Sequence, residues 1–303
     1  RLPDQGYSIR GDGSDYTHLW DGQTLLDIYY LMGFLLPGEA SFVRGFLENV
    51  IASQLPDGDI PRKPYQAGQP GQLSATPLLA VLVWRYYQFT DDLAFLHTVF
   101  PSLLSFVQSW FSSQHDRDGD GIPEWDHLLQ TGIDDHPLFA HWHPWSQGMD
   151  ISMVEGPDLC AYLYAEIDAL IQISTHIGQS ETTPFLHSLA THLHAAIEAS
   201  WDESSHSYHY WDRESHFSTS FQTLGVQQGP CRIPLTGTFD QPVRLLVRIQ
   251  SSDDTTRPAM GFIHGTGPSG GHRVERISPE RFRWHLGTGC YTSDRIYTSL
   301  EHI

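Results

Sequence analysis

The spacing of apolar residues in the first two thirds of the chain constrains the fold more than any other feature. Between Phe42 and Ile51, apolar side chains recur at i, i+1, i+4, i+5, i+8 and i+9, which places them on one face of an α-helix. Five further segments repeat a helical spacing, and turns such as Pro37-Gly38 and Thr90-Asp91-Asp92 separate them. The sequence therefore predicts six amphipathic helices in three hairpins.

Start signals mark several of these helices. The first gathers its apolar residues from Trp20 onward, and the third is expected to begin with Thr76 as its cap and Pro77 at its first position. The fourth follows with Pro101 near its start, and Asp158 and Thr183-Pro184 open the fifth and sixth.

From about Phe221 the pattern becomes that of strands. Short β-type segments alternate with clusters of Gly, Pro, Ser and Asp, which predicts an antiparallel module with strands at 243–249, 260–264, 273–277, 282–286 and 295–300. We expect a mainly α chain in which residues 1–217 form a helical domain. Residues 218–303 would form a β-rich accessory or inserted module, a truncated antiparallel sandwich. Because the last strand pattern runs to Ile303, we expect the chain to be a fragment.

The charge of the chain limits its partners. Lys and Arg number 17 and Asp and Glu number 36, which gives a net charge of −19 at pH 7. Such a surface repels nucleic-acid phosphates and anionic lipid, and no apolar run approaches the roughly 20 residues of a membrane span. Aromatic residues at 12% favour a partner with flat apolar faces and hydroxyl edges, namely a saccharide. The sequence has no signal peptide, so we expect a cytoplasmic protein, although a leader could have been trimmed before Arg1.

Cysteine and histidine spacing argues against a disulfide or zinc framework. Cys160, Cys231 and Cys290 are too few for a disulfide scaffold, so we expect three buried free thiols in a reducing compartment, with a Cys231–Cys290 bridge as the alternative. His141 and His143 lie two positions apart without a third ligand at zinc-binding spacing.

One acidic loop resembles the front of an EF-hand. Asp116, Asp118 and Asp120 alternate around a glycine, as calcium ligands at positions 1, 3 and 5 do. Position 12 would be His127 instead of the bidentate glutamate, and Pro123 fits poorly after the glycine. A solvated acidic turn is therefore the favoured interpretation, and Ca²⁺ bound by the three aspartates is the alternative.

A long loop after this turn combines carboxylates with aromatic side chains. Asp134 and Asp135 are adjacent, and Trp142 and Trp145 follow. Aromatic walls would desolvate a carboxyl group and raise its pKa, so that it keeps a proton near neutral pH and acts as a general acid. We expect both tryptophans to contact the substrate of such a site. A turn in which the aspartates only cap local backbone is the alternative, and spacing alone leaves both open.

Six short motifs lie between the predicted helices, in order and at the spacing of helix pairs. They are Tyr16-Thr-His-Leu-Trp20-Asp21, Gln54-Leu-Pro-Asp57-Gly58-Asp-Ile60-Pro61, Thr76-Pro77-Leu-Leu, Asp118-Gly-Asp-Gly121-Ile-Pro123-Glu124, Gly132-Ile133-Asp134 and Pro157-Asp158-Leu159. Each motif alone is weak, but the ordered set is fairly specific. Over about residues 15–215 the chain resembles the (α/α)6-barrel glycoside hydrolases related to trehalase and to the processing α-glucosidases of families 37 and 63.

The resemblance implies roles for individual residues. In those enzymes an aromatic-x-Trp-Asp segment opens the first barrel helix and lines the sugar subsite, which assigns Trp20 and Asp21 to substrate binding. The motif Gly132-Ile133-Asp134 matches the loop that supplies the general acid. Asp134, and not Asp135, would therefore be the catalytic acid.

The chain departs from the family pattern at several positions. The long trehalase signature is missing, Asp158-Leu159-Cys160 replaces Asp-Leu-Asn, and Ala75-Thr76-Pro77 replaces Gln-Pro-Pro. Relatives carry the catalytic base, a glutamate, late in a twelve-helix barrel, whereas only six helices are predicted here. Glu275 and Glu301 lie in β-type segments without the family's surrounding motif, so neither is assigned as the base.

The implied reaction is hydrolysis, with inversion, of an α-linked glucoside or a related saccharide. Mannosyl- or glucosylglycerate and the ends of oligosaccharides are left open as substrates. Inversion needs an acid and a base on opposite faces of the sugar, so we expect little activity from this chain alone. One alternative is a non-catalytic, carbohydrate-binding helical scaffold. The other is a lyase or phosphorylase on the same helical barrel.

Overall fold

The computed structural model describes residues 24–62, 73–133, 136–140, 149–218, 221–253, 255–256 and 259–303. These residues form two compact units. The helical unit contains residues 24–126, 130–132 and 156–208, and the sheet unit contains residues 127–129, 133–155 and 209–303, within the described ranges. This division rests on compactness, and the functional boundary at residue 217 stays a prediction.

Five helices build the helical unit. They are α1 (Leu25–Ile51), α2 (Leu79–Thr90), α3 (Leu93–Trp110), α5 (Pro157–His176) and α6 (Thr183–Ala199), while the short α4 (Pro137–Ala140) belongs to the sheet unit. Turns with positive φ at Asp91 (φ 55°) and Gly178 (φ 74°) join α2 to α3 and α5 to α6. The predicted mainly helical character of this part of the chain is confirmed.

The first two predicted helices are one continuous element. Thr24 and Asp27 form a capping box at its start: Asp27 N–H donates to Thr24 Oγ1 (3.1 Å), and Thr24 N–H donates to Asp27 Oδ2 (2.8 Å). The predicted interruption at Pro37-Gly38 is a kink, because only Glu39 leaves the helical region (φ −139°, ψ 52°). Pro37 lacks the N–H that an uninterrupted helix needs, and the backbone accommodates it with this bend.

Helix α2 begins at Leu79, so the prediction that Thr76 caps it was wrong. The Thr76 hydroxyl instead donates to the backbone carbonyl of Gln130 (2.5 Å). The cap is supplied from α5, where the buried Glu166 carboxylate accepts the N–H groups of Ala80 (2.6 Å) and Val81 (3.1 Å). A distant acidic side chain thus satisfies the helix N-terminus.

Helix α3, in contrast to α2, begins earlier than predicted. Asp92 is its N-cap and accepts the Phe95 N–H (3.1 Å), so Pro101 lies in the middle of the helix and not near its start. The core beside it is built from large apolar side chains, among them Trp110, Phe106 and Trp125.

The sheet unit is antiparallel throughout its described strands. Its main sheet runs in the order β5 (Pro234–Gln250), β9 (Thr288–His302), β6 (Gly261–Thr266) and β7 (His272–Ile277), with β8 (Arg283–His285) also paired to β9. A second pair joins β1 (Val154–Glu155) to β4 (Trp211–Asp212). Short hairpin strands β2 (Trp201–Asp202) and β3 (Ser207–Tyr208) lie in the helical unit.

Each of the five predicted strands overlaps one of β5 to β9, which confirms the antiparallel module, but β5 and β9 are much longer than predicted. The described residues between 221 and 233 contain no strand, although the sequence predicted β-structure from about Phe221. The two faces of a sandwich stay a prediction, since the described strands of the module form one sheet.

None of the three cysteines forms a disulfide. Cys160 and Cys290 are buried, as expected, whereas the prediction was wrong for Cys231, which is exposed. The alternative Cys231–Cys290 bridge is not formed. None of the helices in the described ranges combines the length and apolarity that crossing a bilayer would require.

Candidate active site

The residues predicted to bind or cleave the substrate lie outside the described residues. These are Asp134 with its neighbour Asp135, and Trp20, Asp21, Trp142 and Trp145. Their positions and roles stay predictions. The chain is described up to Ile133 and again from His136.

Gly132 explains why the Gly-Ile-Asp motif begins with glycine. Its φ of +83° lies in the left-handed region, which side chains with a Cβ rarely adopt. A Cβ at this position would also lie 2.7 Å from Leu26 Cδ1 of α1. Conformation therefore favours glycine two residues before Asp134, and a Cβ there would also require the end of the Leu26 side chain to shift. The next side chain, Ile133, is 46% exposed.

Gln130 fixes the backbone that leads into Gly132. Its side-chain Oε1 accepts the Asp126 N–H (2.9 Å), and its Nε2 donates to Asp126 Oδ2 (3.1 Å) and to the Ser74 carbonyl (3.2 Å). The backbone carbonyl of Gln130 accepts a further hydrogen bond from the Thr76 hydroxyl. Because Gln130 is fully buried, four hydrogen bonds shielded from water hold this turn.

Asp126 is the ionised centre of this arrangement. Burial would raise its pKa, but hydrogen bonding and charge from His115, together with Arg117 and Gln130, lower the pKa below its usual value. Arg117 bridges Asp126 and the buried Glu124, and its Nη1 lies 3.0 Å from Glu124 Oε2. The acidic loop and the approach to Asp134 therefore share one network of charges.

Two further polar residues extend the network. Ser74 Oγ donates to Asp59 Oδ2 (2.7 Å) and lies 3.2 Å from His115 Nε2. Burial raises the pKa of Asp59, while hydrogen bonds from Ser74 and Ile60 oppose that rise. Asp59 lies within one of the sequence motifs but was assigned no role, and neither Ser74 nor His115 belongs to a motif. The sequence indicates these residues only by their position in loops, where functional residues are common.

A carboxylate and aromatic rings meet at the start of α5. Trp125 Nε1 donates to Asp158 Oδ2 (3.0 Å), and Asp158 Oδ1 is buried without a hydrogen-bond partner in the described part of the chain. Tyr162 packs edge-on against Trp125, and burial together with the nearby Asp158 raises its pKa. Tyr30, which is 69% exposed, adds a further hydroxyl nearby. Trp125 is 2% exposed and packs in the core, so the groups here that a ligand could reach are the partly exposed Asp158 and Tyr162 and the exposed Tyr30.

His136, two residues after Asp134 along the chain, is buried in the sheet unit. Its Nε2 lies 3.2 Å from the Tyr210 hydroxyl, and its ring packs against Phe139.

The acidic loop organises its own backbone. Both oxygens of Asp116 accept backbone N–H groups, from Gly119 (2.9 Å) and Gly121 (3.1 Å), and Asp120 Oδ1 accepts the Ile122 N–H (2.8 Å). Asp118 is exposed. A calcium ion would have to share the Asp116 oxygens with these donors, and calcium binding stays a prediction.

The contacts of Glu275 are those of a structural residue, in agreement with its not being assigned as the base. Its carboxylate accepts the hydroxyls of Tyr291 (2.6 Å) and Tyr297 (2.8 Å) and the N–H groups of Asp294 and Arg295. Four donors saturate a group that is buried in the sheet. Glu301, in contrast, is a half-exposed residue 3.7 Å from His272.

Solved structures share the fold of this chain. A crystal structure of an uncharacterised conserved protein from Thermus thermophilus matches with a TM-score of 0.53 and 17% identity, covering 63% of this chain and 59% of that one. The GH63 mannosylglycerate hydrolase from the same organism matches in complex with glucose (TM-score 0.51, 18% identity, 63% and 59% coverage). Its complex with Tris and D-glycerate matches with a TM-score of 0.55 and 15% identity over 69% and 64%.

The chain thus spans about 59–64% of the length of these structures. No curated protein sequence is significantly similar to it. The family model described as "Mannosylglycerate hydrolase MGH1-like glycoside hydrolase domain" matches residues 38–228, well over half of the chain, and contains the Gly132-Ile133-Asp134 motif. The predicted relationship to glycoside hydrolases of family 63 is confirmed, and the chain belongs to the MGH1-like glycoside hydrolase family.

Proposed function

We propose that the chain is part of a glycoside hydrolase that releases a hexose from a small glycoside. The match of the family model across residues 38–228, which include the anchored approach to Asp134, carries this proposal. The structural neighbours are described as a mannosylglycerate hydrolase bound to glucose or D-glycerate, which favours a glycerate-linked hexose as the substrate. Other α-linked glucosides are the broader substrate class.

The proposed architecture is a partial (α/α)6 barrel over residues 1–217, followed by the β-rich module of residues 218–303. The helix hairpins α2–α3 and α5–α6 support it, because such barrels are built by repeating this unit. In this proposal the module is accessory to the barrel and does not supply the base.

Asp134 would act as the general acid. Protonated, it would donate to the glycosidic oxygen as the bond to the anomeric carbon breaks, and a second carboxylate would remove a proton from the attacking water. In an inverting enzyme the two carboxyl groups lie about 6.5–9.5 Å apart, so that the water fits between them. The base is not assigned in this chain, so robust turnover is expected only from a protein that contains it.

Trp20, Asp21, Trp142 and Trp145 are proposed as substrate-binding residues, with tryptophan rings stacking on sugar faces and the carboxylate accepting hydroxyls. The net charge of −19 favours neutral sugars over phosphorylated ones. An anionic glycerate substrate would need a local positive group to bind this acidic protein.

The decisive experiment compares Asp134→Asn with Asp135→Asn in the full-length protein. Substrates are mannosylglycerate, glucosylglycerate and an aryl α-glucoside. Loss of a general acid lowers kcat by about 10²–10⁴-fold, so Asp134→Asn should do so while binding of the free sugar, measured by calorimetry, persists. Asp135→Asn is the matched control and should stay within a few-fold of wild type.

Equal turnover by wild type and Asp134→Asn would refute the assigned acid. Sugar binding without turnover by the wild-type full-length protein would refute the hydrolase and favour a non-catalytic binding scaffold.

A further inference from the structure

Three histidines meet on one face of the main sheet of the sheet unit. They are His264 in β6, His272 in β7 and His302 in β9. Strand β6 lies between the other two strands, and His264 is paired directly with His302. The ring centroids of this pair are 4.2 Å apart with an interplanar angle of 15°, and those of His264 and His272 are 5.9 Å apart. The proposed reaction uses none of the three.

The pairing of the strands explains why these side chains share a face. His272 is opposite Thr266, which lies two positions after His264 in the same strand. Side chains two positions apart in a strand point to the same face, and so do side chains directly opposite each other in neighbouring strands. His272 is therefore the diagonal neighbour of His264. The face is accessible, because the side chain of His272 is 54% exposed and the other two histidines are partly exposed.

A β-bulge adds a carboxylate to this face. The register between β6 and β9 shifts after His264, where β9 holds one more residue than β6. The extra residue is Glu301, next to His302. Strict alternation would send Glu301 to the face opposite its neighbour, but its Oε1 lies 3.7 Å from His272 Nε2. The bulge therefore brings a fourth potential metal ligand to the three imidazole rings.

The chemistry of these four side chains suits zinc. Neutral imidazole nitrogens and carboxylate oxygens are ligands that Zn²⁺ takes in proteins, whereas Ca²⁺ and Mg²⁺ take oxygen ligands. Desolvation, the charge of Arg232 and the neighbouring histidines lower the pKa of His302, which favours the neutral ring that a metal ion requires. Two nitrogen ligands of a tetrahedral zinc ion lie about 3.3 Å apart, so the stacked rings would have to tilt toward each other. Side chains at the surface can do so without disturbing the strand pairing.

We propose that the three histidines bind one Zn²⁺ ion and that Glu301 is the fourth ligand. The ion would tie β6, β7 and β9 together at the end of β9. This inference does not depend on the proposed hydrolase function. The three histidines lie in separate strands without zinc-binding spacing, so only the register of the sheet indicates the site.

Arg232 competes with the ion for one ligand. Its Nη2 lies 3.0 Å from His302 Nδ1, and because a guanidinium can only donate, this nitrogen accepts. The proton of the neutral ring is then on Nε2. Zinc bound at Nδ1 would displace Arg232, and zinc bound at Nε2 would move the proton to Nδ1, so either mode breaks this hydrogen bond. Removing the guanidinium should therefore strengthen zinc binding, a gain that misfolding could not produce.

Calorimetric titration of the full-length protein with Zn²⁺ tests the site. The protein is purified without a histidine tag and freed of metal with a chelator. His264→Gln, His272→Gln and His302→Gln should each weaken binding at one zinc site by at least about 10- to 100-fold, because even groups that only hydrogen-bond to a ligand contribute that much. Glu301→Gln should weaken it by less, because a water molecule can occupy the fourth position.

Two further variants complete the titration. Arg232→Ala should tighten binding by about three- to tenfold, because it removes a positive charge and a competing hydrogen bond. His285→Gln is the matched control: His285 lies in the same sheet but pairs with Thr288, at the opposite end of β9 from His302. This variant should bind zinc as wild type does.

X-ray absorption of the zinc-loaded full-length protein identifies the ligands directly. It should show imidazole nitrogens at about 2.0–2.1 Å from the metal. Absence of zinc binding by wild type, equal affinity in wild type and the three histidine variants, weaker binding by Arg232→Ala, or a zinc ion surrounded by oxygen ligands alone would each overturn the inference. None of these results would bear on the proposed hydrolase function.

Discussion

Replacing Gly132 with alanine tests whether the approach to the predicted acid depends on glycine for both of the reasons seen in the structure. A residue with a Cβ at φ +83° costs roughly 1–2 kcal/mol relative to glycine. The new methyl group would also meet Leu26 Cδ1 at 2.7 Å. Since Leu26 is only half-buried and its end can shift, relieving this overlap should add about 1 kcal/mol, the low end of overpacking costs.

Gly132→Ala should therefore lower the free energy of unfolding by about 2–3 kcal/mol. Gly178→Ala is the matched control, because Gly178 has a similar φ of +74° but no heavy atom within 4 Å of its ideal Cβ. The control should cost only about 1–2 kcal/mol. Urea unfolding followed by fluorescence of the buried Trp110 and Trp125 measures both values.

A double-mutant cycle with Leu26→Ala isolates the overlap. If the clash contributes, the second substitution should recover about 1 kcal/mol of the loss caused by Gly132→Ala. Equal losses in Gly132→Ala and Gly178→Ala would refute the argument from space. No loss in either variant would refute the argument from backbone conformation.

Two further predictions concern buried glutamates. Burial outweighs the hydrogen bonds from α2 and raises the pKa of Glu166 to about 7, above its ordinary value of 4.5. The folded state therefore favours the protonated form, and the free energy of unfolding falls as pH rises between those two values. Urea unfolding at pH 5 and pH 7 measures this change. Between the two pH values the free energy of unfolding of Glu166→Gln should fall by about 2 kcal/mol less than that of wild type, and equal falls in both proteins would contradict the raised pKa. Glu275→Gln leaves four donors poorly matched and should lower the stability of the sheet unit by about 2–4 kcal/mol, whereas the half-exposed Glu301→Gln should change it by less than about 0.5 kcal/mol, both by thermal unfolding.

The sequence predicted elements well where the pattern within a segment decided the outcome. The apolar stripe from Phe42 to Ile51 and the strands between 243 and 300 lie in a helix and in strands as expected, because periodic burial fixes both. The starts of α2 and α3 were misplaced for a different reason. Glu166 caps α2 from 86 positions away, and no local pattern could show that Thr76 would bond to Gln130 instead.

Sequence motifs predicted the candidate catalytic residue, but no motif indicated the buried polar residues that lie near it along the chain. The motif Gly132-Ile133-Asp134 drew attention to the acid loop, and the glycine at its start is explained by its φ and by Leu26. The buried polar residues of the network before Gly132, such as His115 and Gln130, come from separate segments with no shared spacing. Only the tertiary structure brings them together, so reading along the chain could not have identified them.

The cysteine arrangement has a practical consequence. Cys160 and Cys290 are buried, and burial raises the pKa of the Cys290 thiol to about 11, so few of its sulfurs are thiolate at neutral pH. Cys231, by contrast, is exposed just ahead of the first long strand. Within residues 1–303, Cys231 is thus the one exposed thiol to which a spectroscopic label or a surface tether could be attached.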